Sequence, residues 1–151
     1  MIRNLDISNF RCFKEFNIQG FERINLFGGK NNSGKTALLE ALFLGSTPTS
    51  ETIMILRQIR GESGEFMKAV PEKAWDNLFF DKKRAERKIV ITLEYDDKTK
   101  KMEIDCDDSV GQNSLFNDDI TKNFEDLNTI LIENSFKKSV LNICHYEHGK
   151  K

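Results

Sequence analysis

Apolar and polar positions alternate at the start of the chain, where Ile2, Leu5, Ile7 and Phe10 stand against Arg3, Asn4, Asp6 and Ser8. That period predicts a strand with one buried face. Phe13, Phe16 and Ile18 predict a second strand, which Gly20 ends. In ERINLFGG (22–29), Ile24, Leu26 and Phe27 run straight into glycines, the pattern expected of a short buried strand feeding a loop. From Lys35 to Leu44 the period becomes helical: Leu38, Leu39, Leu42 and Phe43 recur at spacings of one, three and four among good helix formers. Gly45 to Ser50 is a turn-rich break, and a second helix is expected from about Glu51 to Arg60, with Ile53, Leu56 and Ile59 on one face.

Further on, Gly61, Gly64 and Pro71 predict loop with one short helix, and Trp75, Phe79 and Phe80 beside Leu78 read as core. Lys88–Tyr95 and Lys101–Cys106 flank the polar link Asp96–Lys100, as two arms of an antiparallel hairpin do. Residues 107–151 are the least regular. Leu115, Phe116, Ile120, Phe124 and Leu127 allow a helix, and Thr129 to Ile132 allow a strand. The expected organisation is a single domain over 1–151, with a strand–loop–helix core in 1–60 and a hairpin in 88–106.

Length and composition narrow this little further. A chain of 151 residues, 38% hydrophobic and 31% charged, has room for one core and is not disordered throughout. Its formal charge of −1 provides no global field toward nucleic acid or an anionic membrane, so any such contact has to be local. The apolar run Leu38–Leu44 is interrupted by Glu40 and is too short to cross a bilayer. Cys12, Cys106 and Cys144, irregularly spaced and without a leader-like stretch before them, suggest free thiols and a cytoplasmic protein.

The chemistry concentrates in Gly29-Lys30-Asn31-Asn32-Ser33-Gly34-Lys35-Thr36, which fills every fixed position of G-x-x-x-x-G-K-[ST], the phosphate-binding P-loop. A triphosphate spreads its charge over many oxygens, so it needs many donors with little side-chain bulk between. Glycines at 29 and 34 permit that approach, and the backbone N–H groups of 31–36 with the helix dipole supply the donors. Lys35 would reach the β and γ phosphates, and Thr36 would place its hydroxyl on Mg²⁺. ATP with Mg²⁺ is the expected ligand. A guanine-reading Asn-Lys-x-Asp element is not found in the sequence.

MIRNLDISNFRCFKEFNI followed by NLFGGKNNSGKTALLEAL resembles the N-terminal segment of RecF/SMC-like ABC-type ATPases, particularly stand-alone defence-associated and OLD-type ATPases. A looser likeness, IRGESGEF…WDNLFF…RKIVITLEYDD, continues to about residue 106. The resemblance implies an α/β P-loop NTPase lobe of ABC type with an antiparallel β-subdomain. It also implies that Arg11, in the Asn-Phe-Arg element, lies near the nucleotide phosphates; the alternative is an ordinary solvated arginine at a strand end. A second ATPase lobe or a homodimer across the nucleotide is the implied partner, with DNA or another protein as further candidates.

Hydrolysis in such proteins also needs a Walker B carboxylate and a signature element. Ser109-Val110-Gly111-Gln112 and Ile130-Leu131-Ile132-Glu133 match these poorly, and a polar turn and a buried strand explain both. The chain therefore reads as an incomplete ATPase lobe that turns over little ATP alone, or as a non-hydrolysing nucleotide switch. Gln58 is a weak Q-loop candidate, lying in a predicted helix. Cys144-His145-Tyr146-Glu147-His148 holds ligand types that zinc accepts, but reads as a frayed tail. Lys82-Lys83-Arg84 with Arg87 and Lys88 is interleaved with Asp81 and Glu86, the composition of a solvated face.

Overall fold

A computed structural model describes residues 1–62, 64–70, 73–83, 88–107, 126–133 and 138–149. Six strands form one antiparallel sheet: β1 (Ile2–Phe10), β2 (Phe13–Gln19), β3 (Ile89–Tyr95), β4 (Lys98–Asp107), β5 (Asp126–Glu133) and β6 (Lys138–Gly149), in the order β2-β1-β3-β4-β6-β5. Three helices, α1 (Lys35–Ser46), α2 (Ser50–Ile59) and α3 (Gly64–Ala69), complete the mixed α/β architecture.

The strand period decides which face is covered. Leu5 and Ile7 of β1, Ile89, Ile91 and Leu93 of β3, Met102 and Ile104 of β4, and Leu141 and Ile143 of β6 are all buried, while their neighbours in sequence are more exposed. These side chains join Leu38, Ala41 and Leu44 of α1 and Ile53 and Leu56 of α2 in one core. Gly45, expected in a turn, instead lies inside α1 against the sheet. A Cβ there would stand 2.9 Å from Ile91 Cγ2, so glycine is what lets the helix come this close.

Other expectations fail as well. Residues 22–29 form no strand, and Ile24 and Leu26 are 90% and 96% exposed. Their pattern is that of a buried strand, but no described strand pairs with them. The supposed tail at 144–148 is part of β6, paired along its length with β4 and with β5 on its other side. His145 and His148, three apart in a strand, therefore fall on opposite faces of the sheet, which separates the two imidazoles of the zinc reading. The hairpin link is shorter than expected, since Lys98, Thr99 and Lys100 already belong to β4. The helix allowed by Leu115, Phe116, Ile120, Phe124 and Leu127 lies outside the described residues up to Phe124, while Leu127 belongs to β5; the element Ser109–Gln112 also lies outside them.

Candidate functional site

The glycine loop leads into α1 in the manner a polyphosphate requires. Gly34 is the residue before the helix, with φ 90° and ψ 2°, and no side chain caps it. The first turn carries no acidic residue, so no side-chain charge of its own offsets the positive end of the helix dipole. A Cβ on Gly34 would meet Cys12 Sγ at 3.1 Å and Phe13 Cζ at 3.2 Å, which adds a close approach to the left-handed backbone. Asn32, also left-handed at φ 63°, is a residue type that tolerates that conformation.

Lys35 does more than wait for a ligand. Its Nζ donates to the carbonyl oxygens of Gly29 (2.8 Å) and Lys30 (2.7 Å), folding the loop around the ammonium. Asn31 to Thr36 line an open cleft of about 840 Å³ together with Arg11, Arg60, Glu62, Asn77, Asp81 and Lys82. Arg11, Lys35, Arg60 and Lys82 make the lining cationic, against the carboxylates Glu62 and Asp81.

Arg11 sits in the tight β1–β2 turn with φ 53°, and its side chain is only 9% exposed, so it is not a solvated strand-end arginine. Three contacts hold it. Its backbone N–H donates to Leu78 O at 2.8 Å, its Nη1 to Asn77 O at 2.8 Å, and its Nε to Glu40 Oε2 at 3.0 Å. The other oxygen of Glu40 accepts from Arg60 Nε at 2.6 Å. Glu62 pairs closely with Arg57, 2.9 Å from its Nη2, and lies 3.8 Å from Arg11. Burial lowers the Arg57 pKa from its ordinary value, whereas the hydrogen bond to Glu40 raises that of Arg60.

Asn31 to Thr36 of the predicted loop and Arg11 thus line one cleft, while Gly29 and Lys30 are outside its lining and hold Lys35 through their carbonyls. Gln58 is exposed on α2, and Glu133 ends the edge strand β5, with three strands between β5 and β1. Lys82 joins the cleft, while Lys83 is exposed and paired with Asp81 at 2.7 Å. Glu40, Arg60 and Glu62 were missed. A carboxylate one turn from Leu44 and beside Ala41, on the core face of an apolar helix, was the available signal, since such a group must find a cation when buried.

An antiparallel sheet covered by a helix that starts directly after a glycine loop fits the N-terminal lobe of a P-loop NTPase, although no strand leads directly into the loop among the described residues. The chain belongs to the AAA ATPase domain family, whose profile matches residues 1–149. It is similar to an ATP/GTP phosphatase of Helicobacter pylori, 41% identical over 66 residues, 41% of this chain and 18% of that protein. The DNA replication and repair protein RecF of Thermomicrobium roseum is 29% identical over 96 residues, 62% of this chain and 24% of its own length. Protein MJECL10 of Methanocaldococcus jannaschii is 41% identical over 71 residues, 43% of this chain and 32% of that protein. The chain thus spans less than a third of the length of these relatives. Among the described residues no helix is long and apolar enough to cross a membrane.

Proposed function

We propose that this chain is the nucleotide-binding N-terminal lobe of a RecF-like ATPase and that it binds ATP with Mg²⁺ in the loop 29–36. The observation that carries this reading is the uncapped start of α1 behind Gly34, with Lys35 already held at the centre of the loop. First-turn N–H groups take phosphate oxygens, the Lys35 ammonium adds charge to them, and Arg11 faces the same cleft. Thr36 fits a hard cation: it is exposed on the first turn of α1 and offers a hydroxyl oxygen. Mg²⁺, when bound, neutralises part of the charge on the outer phosphates.

A second lobe completes the ATPase. Ile24, Leu26, Leu39 and Phe43 are large apolar side chains exposed among the described residues, and the longer relatives have chain enough to cover them. The name of the RecF relatives, DNA replication and repair, extends to this chain as a DNA-linked role. A non-hydrolysing switch is the second reading, favoured by the two cleft carboxylates, since Glu62 and Asp81 are both engaged by cations.

Calorimetric titration of MgATP into the wild type and Lys35→Ala tests the assignment. Wild-type binding, weakened about tenfold or more in the variant, is expected from the loss of a charge-assisted contact. Equal affinity in both proteins would sink the assignment.

A further inference from the structure

We propose that Arg60 is a second arginine of the polyphosphate site, held beside Arg11 by the two oxygens of Glu40. This rests on the nucleotide-binding reading and adds a residue that neither the loop motif nor the Asn-Phe-Arg element contains. Glu40 lies on α1, five residues after Lys35, so the helix that presents the phosphate loop also fixes both guanidinium groups. Its side chain is 4% exposed, which leaves it little freedom to choose other partners.

Charge and burial point to an anion here. Among the described residues Arg11, Arg57 and Arg60 pair with the carboxylates Glu40 and Glu62, three positive charges against two negative. Arg11 Nη2 is buried and has no hydrogen-bond partner among the described residues. A buried, unsatisfied donor on a charged group is costly unless a ligand supplies an acceptor. Arg60 is the accessible member: its side chain is 38% exposed, it lines the cleft, and Glu40 engages it through Nε. A guanidinium held by Nε can still offer its outer nitrogens to phosphate oxygens in a fork. A merely structural Arg60 would act at the end of α2, where it is the C-terminal cap.

Calorimetry with MgATP and, separately, with inorganic tripolyphosphate separates these roles. Arg60→Ala should weaken both ligands by about five- to tenfold, the loss of one partly exposed charged hydrogen bond, with an unchanged circular dichroism spectrum. In a Glu40→Gln background, the loss on adding Arg60→Ala should shrink, because the arginine is then no longer held in place. Unchanged affinity for both ligands in Arg60→Ala would overturn the proposal, as would loss of ATP binding alone with tripolyphosphate unaffected. Lys35→Ala is the control. If the wild type binds and Lys35→Ala does not, while Arg60→Ala matches the wild type, only the arginine inference fails; no binding by the wild type overturns both.

Discussion

Gly34 shows how far a single residue can carry both fold and site. At φ 90° a Cβ is strained by about 1–2 kcal/mol, and here it would also press on Cys12 and Phe13. Gly34→Ala is therefore expected to lose about 2 kcal/mol in urea denaturation and to bind ATP more weakly, since the first N–H groups of α1 would tilt away from the cleft. Stability equal to wild type would show that the strain is relieved by shifts nearby. The loop was legible because its chemistry is local: eight consecutive residues carry the motif. Arg11 was legible only through resemblance. Glu40 and Arg60 stand 20 residues apart and Arg11 another 29 from Glu40, so their pairing is a product of the tertiary fold and no local pattern announces it.

Elements with a face to bury were read well, and those whose partner lies elsewhere in the chain were not. β1, α1 and the arms of the β3–β4 hairpin follow from period because each puts apolar side chains into the common core, and β2 packs Phe13, Phe16 and Ile18 against it half-buried, whereas Leu39 and Phe43 of the α1 stripe stay exposed. Residues 22–29 carry the same apolar pattern but have no partner strand among the described residues, and period alone cannot show whether one is present. β6 was misread because Cys144 to His148 alternate weakly; ten residue pairs with β4 build that strand. The start of α2 depends on Thr49, whose side chain accepts from Thr52 N at 3.2 Å. Thr49→Ala should cost about 1 kcal/mol, the usual value of such a cap, read as a lower denaturation midpoint with no change in ATP affinity.

For the molecule as a whole, binding and turnover come apart. Hydrolysis requires a carboxylate free to position water, and donors from an opposing subunit that in GTPases are worth 10³–10⁵ in rate. Glu62 and Asp81, the carboxylates lining the cleft, are held in ion pairs with Arg57 and Lys83. The isolated chain is accordingly expected to release phosphate from ATP at close to the uncatalysed rate, and to gain activity when a second lobe covers Ile24, Leu26, Leu39 and Phe43. Robust steady-state phosphate release by the purified chain, lost in Lys35→Ala, would show that it needs no partner.

The cationic cleft has a consequence for how a ligand arrives. The chain as a whole carries a formal charge of −1, yet Arg11, Lys35, Arg60 and Lys82 gather on the walls of one opening. With Glu62 and Asp81 also in the lining, the cleft carries a net formal charge of about +2, so its field is local and opposite in sign to that of the chain as a whole. A polyanion is drawn in only over the last screening length, about 8–10 Å at physiological salt, so its rate of capture should fall as ionic strength rises.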